Sequence, residues 1–145
     1  MSIKKSNLTF LTPDFESKIK FLFVKDGVSA GFPSPAADFM EDTIDLNKEL
    51  SKNPLATFFV KVSGNSMIDA GIDHNDVLVV DRSLEPKNNK IAVCFINGEF
   101  TVKRISVKKD EMFLMPENKN YKPIKITSET QIIIWGIVTY IIKSV

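Results

Sequence analysis

From Ala56 onward the chain alternates short runs rich in Val, Ile and Phe with polar turn residues, the period-2 pattern of strands rather than the 3.6-residue period of helices. Strands are expected over 57–63, 76–81, 91–96, 99–106, 111–115, 124–127 and 131–143, with the last bent or split at Gly136. Asn97-Gly98 lies between Ile91–Ile96 and Glu99–Ile105 and predicts a two-residue type I′ hairpin, because both residue types tolerate the positive φ which that turn requires. Ahead of this β-rich body, Ala37, Met40 and Ile44 recur at roughly helical spacing, behind Ser34 as a cap and Pro35 as a first-turn residue. A second short helix is expected from Asp45 to Leu50, where Leu46 and Leu50 stand about one turn apart and Asn53-Pro54 stops the run. The fold class is therefore mainly β, with short, mostly antiparallel strands, two short N-terminal helices and an extended arm before them.

Residues 1–35 make up that arm. They mix Lys, Ser, Thr and Pro with isolated apolar groups, carry the turn pair Asp26-Gly27 and the rigid Phe32-Pro33-Ser34-Pro35, and hold one short strand at Phe21–Val24. Nothing in them has the length or periodicity of a helix-turn-helix module. The division expected is an arm over 1–35 and a domain over 36–145.

Composition changes the picture by exclusion. A chain of 145 residues suits one main core, and 43% hydrophobic with 26% charged residues is ordinary for a globular protein. A formal net charge of +1 argues against strong direct binding to DNA, which usually needs a basic stripe. Cys94 is the single cysteine, so no intrachain disulfide can form, and its neighbours Val93 and Phe95 mark it as a small buried hydrophobe. With no cleavable signal pattern, the cytoplasm is the expected compartment. The most apolar stretch, Ile132 to Ile142, is about half the roughly 20 residues a spanning helix needs, so no membrane partner is expected.

The candidate chemistry centres on Val62-Ser63-Gly64-Asn65-Ser66-Met67, where a strand-like run gives way to a loop. A serine hydroxyl becomes a nucleophile only beside a positioned base. The sole histidine, His74, sits in the polar, turn-like string Ile72-Asp73-His74-Asn75-Asp76 and reads as a solvated loop residue, which removes a Ser-His-Asp triad. One His and one Cys cannot make a zinc site, Asp69, Asp73, Asp76 and Asp81 lack EF-hand spacing, and no Gly-rich phosphate loop is present. Neither a metal nor a cofactor is expected. Lys103, in Phe100-Thr101-Val102-Lys103-Arg104, falls on the face opposite Phe100 and Val102, so alternation alone makes it a solvent-facing strand lysine and leaves Ser66 a turn residue. For Lys103 to act as a base it must be largely desolvated, since an ordinary lysine, with a pKa near about 10.4, is almost wholly protonated at neutral pH.

Three motifs in order, Ser63-Gly64-Asn65-Ser66-Met67 with Gly71-Ile72, then Asp76-Val77-Leu78-Val79-Val80-Asp81, then Gly98-Glu99-Phe100-Thr101-Val102-Lys103-Arg104, resemble the self-cleaving LexA-like Ser-Lys protease family. Within it, Ala30-Gly31-Phe32-Pro33-Ser34-Pro35-Ala36-Ala37-Asp38 is similar to the cleavage region of the UmuD-type branch, processed subunits of an error-prone DNA polymerase. The resemblance spans about residues 30 to 143 and implies a LexA-like protease β-domain. It implies Ser66 as nucleophile, Lys103 as general base, an oxyanion hole from the backbone N–H groups of Asn65 and Ser66, and Ala30–Gly31 as the bond cut. It further implies a homodimer, stimulation by the RecA nucleoprotein filament on single-stranded DNA in the SOS response, and work with a UmuC-type error-prone polymerase after loss of residues 1–30. Small residues at Ala30 and Gly31 allow close approach to the serine, and Pro33 and Pro35 stiffen the segment after them. Substrate and catalyst on one chain or one dimer also give a high effective concentration.

Three other readings stand beside this one. A LexA-type or phage-type repressor uses the same chemistry but needs a DNA-binding domain ahead of the cleavage site, more than thirty residues hold, and the start at Met1 argues against truncation. A non-catalytic β-domain acting as a binding module would not cleave itself. A membrane signal peptidase, also of Ser-Lys chemistry, would need an anchor.

Overall fold

The computed structural model describes residues 2–5, 8–14, 21–24 and 40–145. Met1–Pro13 and Asn53–Val145 form one compact unit, and Asp14–Lys52 form a second.

The larger unit is built on one nine-stranded antiparallel sheet. Its strands are β1 (Ser2–Lys5), β2 (Leu8–Leu11), β5 (Thr57–Val62), β6 (Val77–Asp81), β7 (Ile91–Ile96), β8 (Glu99–Lys108), β9 (Glu111–Met115), β10 (Ile124–Ile126) and β11 (Ile132–Ile142). Their order across the sheet is β1-β2-β5-β6-β11-β7-β8-β9-β10. The seven strands expected from period-2 patterning are all present, with ends shifted by up to two residues. Asn97 and Gly98 have φ of 49° and 85°, the positive pair that the type I′ turn between β7 and β8 needs.

Both faces of the sheet are covered. Val60, Val62, Leu78, Val80, Val93 and Val102 pack in one buried cluster, and Ala92, Cys94, Ile105, Leu114 and Ile137 in another. Val93 and Cys94 are successive residues of one strand and so point to opposite faces, yet each is fully buried. That explains the unbroken apolar runs of β6 and β7, since a strand buried on both sides has no polar face to alternate with. Cys94 is a core residue, and burial pushes its thiol up to about 12.

β11 runs through the middle of the sheet between β6 and β7. Against β7 its register slips by one residue between Ile134 and Gly136, so Trp135 is the extra residue of a β-bulge. Trp135 packs edge-on against Phe10 and at a tilt against Phe58, at ring-centroid distances of 4.9 and 5.0 Å, and the Arg82 guanidinium lies 4.6 Å from its ring. Phe10 of β2 also meets Phe100 of β8 at 4.7 Å. These strands stand far apart in the sheet order, so the sheet bends on itself and brings the end of β5 close to β8.

The second unit holds β3 (Phe21–Val24) and β4 (Met40–Ile44), an antiparallel pair, followed by α1 (Leu46–Leu50). Asp45 caps α1 by accepting from the Asn47 and Lys48 backbone N–H groups at 3.0 and 3.4 Å. The strand at Phe21–Val24 and the helix over 45–50 match expectation. The first expected helix does not: Met40–Ile44 is strand, because pairing with β3 overrides an apolar spacing that is compatible with either element over so short a run. Ser34, Pro35 and Ala37 lie outside the described residues. β1 and β2 correspond to no expected element; as a pair, β2 docked on β5, they gain a sheet ladder that strands of four residues each do not announce.

A Cβ on Gly136 would stand 2.6 Å from Val80 Cγ1, a fully buried side chain with no room to retreat. Gly136→Ala is expected to lower stability by about 1–3 kcal/mol, an overpacking cost read as a fall in the urea unfolding midpoint.

Candidate active site

β5 leads directly into the loop that carries Ser66. Past Val62 the chain turns through Gly64, whose φ of 100° favours glycine, and re-enters order as a short 3-10 turn at Ile68–Ala70 that ends on Gly71 with φ 81°. Met67, 2% exposed, anchors the loop in the core directly after the half-buried serine.

Two outside segments brace the loop. From the region after β9, Asn118 Nδ2 donates to the Asn65 carbonyl at 2.7 Å, the Tyr121 hydroxyl contacts Asn65 Oδ1 at 3.4 Å, and the Glu117 carbonyl accepts from Asp69 N–H at 2.7 Å. Glu117 is itself paired with Arg104 of β8, whose Nη1 also donates to the Asn89 carbonyl at 2.8 Å. On the other side, Val62 N–H donates to the Asp76 carbonyl at 2.9 Å and Asn75 N–H to the Val62 carbonyl at 2.8 Å. The same turn offers His74 Nδ1 as acceptor for Gly64 N–H at 3.2 Å. Lys143 ties this turn to the end of β11 through Asp73, at 2.7 Å, and Asp76, and these two carboxylates raise the pKa of the ammonium.

Lys103 departs from its expected position. Alternation suggested solvent, but the lysine is only 8% exposed. Its cross-strand partner Ala92 and its same-face neighbour Ile105 are fully buried, so the face assigned to it is as covered as the other. Burial pulls its pKa below the ordinary lysine value, opposed by attraction to the Cys94 sulfur in its ionised form. The Tyr121 ring centroid lies 5.9 Å from the ammonium.

Ser66 and Lys103 line one cleft of about 120 Å³, walled by Ser63–Met67 on one side and Phe100–Lys103 on the other, with Leu8 and Tyr121 also at the lining. Among the described residues no hydrogen bond joins Ser66 to Lys103, and the N–H groups of Asn65 and Ser66 donate to no other residue. Ala30 and Gly31 lie outside the described residues. Glu117, Asn118, Tyr121 and the Gly64 contact of His74 are absent from the sequence reading, since a polar turn after β9 and a lone exposed histidine carry no spacing that points to Ser66. Among the described residues no group of His, Cys, Asp and Glu could hold a metal ion, and no helix is long and apolar enough to cross a membrane.

What such a cleft can do chemically is limited by its size and contents: a half-buried hydroxyl, a desolvated amine and backbone donors suit acyl transfer from a thin, extended peptide. Comparison with known proteins points the same way. MucA from Salmonella typhimurium is 42% identical over 119 residues, covering 81% of each chain, and ImpA from Shigella flexneri is 40% identical over 131 residues, covering 88% of this chain and 86% of its own. The LexA repressor of Alcanivorax borkumensis is 37% identical over 116 residues, 80% of this chain but 56% of the repressor. The sequence profile described as Peptidase S24-like matches residues 22–139, and with a match over most of its length the chain belongs to that peptidase family.

Proposed function

We propose that this chain is a self-cleaving serine endopeptidase in which Ser66 cuts the Ala30–Gly31 bond with Lys103 as its base. The observation that carries the reading is the burial of Lys103 in the cleft that Ser66 lines. A serine needs a base that is neutral near working pH, and desolvation is what makes a lysine neutral there.

In the reaction, the neutral Lys103 amine takes the Ser66 Oγ proton as the oxygen attacks the Ala30 carbonyl carbon. The tetrahedral oxyanion is received by the N–H groups of Asn65 and Ser66, whose availability supports that role, and donors of this kind contribute about 10²- to 10³-fold each. The Lys103 ammonium then gives its proton to the departing Gly31 nitrogen, and water, deprotonated by the same amine, hydrolyses the Ala30 ester to release a carboxylate. His74 supports the reaction from a distance by holding Gly64, and takes no proton from Ser66.

The arm of residues 1–35 supplies the substrate and the domain of residues 36–145 the catalyst. Cleavage is stimulated by RecA filaments on single-stranded DNA during the SOS response, and the product over 31–145 serves as accessory subunit of a UmuC-type translesion polymerase in the cytoplasm. Identity of 42% to MucA and 40% to ImpA, against 37% to the LexA repressor, supports this reading. The exposed apolar end of β11, with Tyr140, Ile141 and Ile142, supports a homodimer contact.

Incubation with activated RecA, or alone at alkaline pH, is expected to yield a fragment whose N-terminal sequence starts at Gly31. Ser66→Ala and Lys103→Ala should each slow its appearance by at least about 10³-fold; undiminished cleavage in either variant would overturn the assignment. Unstimulated cleavage should accelerate about tenfold per pH unit while Lys103 is mostly protonated, then level off below the ordinary lysine value of about 10.4. Because folding lowers this pKa, the unfolded chain binds the extra proton between the folded value and about 10.4, and stability rises with pH through that window. Lys103→Met should therefore be inactive yet melt at a higher temperature than the parent, by a margin that shrinks as the parent's lysine deprotonates.

A further inference from the structure

We propose that the side of β5 away from β6 is the strand-binding groove of this peptidase, and that Leu8–Leu11 of the same chain occupies it in competition with the scissile segment. The inference rests on the peptidase reading above and adds a built-in control to it.

β5 has two sides. One is paired with β6; the other carries β2, antiparallel, with Leu8 opposite Val62, Thr9 opposite Lys61, Phe10 opposite Val60 and Leu11 opposite Phe59. Since β5 runs from Val62 straight into the loop of Ser66, a peptide laid along this side in place of β2 is carried by backbone hydrogen bonds to the nucleophile. A strand added to a sheet edge takes affinity from the main chain and specificity from pockets for alternate side chains. β2 meets both conditions. Leu8, 2% exposed, packs with Val62, Met67 and Ile72 and lines the cleft that holds Ser66 and Lys103, while Phe10, two residues on and on the same face, sits against Phe100 and Trp135.

The groove holds one strand at a time. With Leu8–Leu11 in place this edge of β5 is taken, so a scissile segment gains it only when β2 leaves. A ladder of four residue pairs is short enough to open, because so short a strand is only marginally stable by itself. The cut then has a second effect. Residues 1–30 cease to be tethered, the high effective concentration that returned β2 to β5 is lost, and the edge opens to an extended strand of a partner.

The test locks the strand in place. Thr9 and Lys61 are directly opposite, within the Cα separation that a disulfide spans, and Cys94 is too buried to interfere. The full chain with Thr9→Cys and Lys61→Cys, oxidised, is expected to cleave itself at least tenfold more slowly than the same protein after reduction. Thr9→Pro, which removes a ladder N–H and leaves Leu8 and Phe10 unchanged, is expected to cleave at least threefold faster than the parent. Equal rates for the oxidised and reduced double variant would overturn the proposal, as would a folded Thr9→Pro protein no faster than the parent. Absence of Ser66-dependent cleavage in the parent itself would instead overturn the peptidase reading, and the strand competition with it.

Discussion

A lysine kept dry in the middle of a strand is the constraint around which the rest of this unit is arranged. Water stabilises an ammonium strongly, so Lys103 can be held at 8% exposure only where the surrounding sheet is well enough packed to bear that cost. The two apolar clusters, one on each face, meet this condition. Ala92 opposite the lysine and Ile105 beside it close its own face, and Val102 anchors the strand from the other. The same closure sets how the sheet must bend, since Ser66 leaves a strand that is not a neighbour of β8 in the ladder.

Around that lysine the loop of Ser66 is held by its backbone. Asn118 fixes the Asn65 carbonyl, His74 fixes the Gly64 N–H, and Met67 pins the next residue in the core. Each support is anchored in turn: Glu117, next to Asn118, is paired with Arg104, beside the lysine, and the His74 turn is tied to Lys143 at the end of β11. Loop and lysine therefore share their fixings, which holds a site together on a scaffold with few rigid helices. The bulge at Trp135 serves the same end by turning a large ring toward Phe10, Phe58 and Phe100, where β2 and β5 approach β8.

Most of the β-domain was legible because its signals are local. Seven strands followed from period and turn residues, and Asn97-Gly98 specified its turn by the φ values it tolerates. Local signals failed where long-range pairing decides. Met40–Ile44 has spacing that suits a helix and becomes a strand on β3, and Ser2–Leu11 is polar enough to pass for an arm yet supplies two strands of the main sheet. The braces of the Ser66 loop were invisible for a related reason, since Asn118 is separated from Asn65 by 53 positions along the chain.

The sequence by itself determined the residue types available for chemistry and excluded most alternatives: one histidine in a polar turn, one cysteine, no metal set, and a serine-glycine loop followed by a strand lysine. It could not determine the state of that lysine. Alternation assigns a side chain to a face, but whether the face is wet depends on what packs there. Here a sheet bent on itself covers both faces, and burial turns a residue that reads as a surface cation into one with a lowered pKa. Tertiary structure alone decided that, because desolvation is a property of the assembled surroundings and of no residue taken singly.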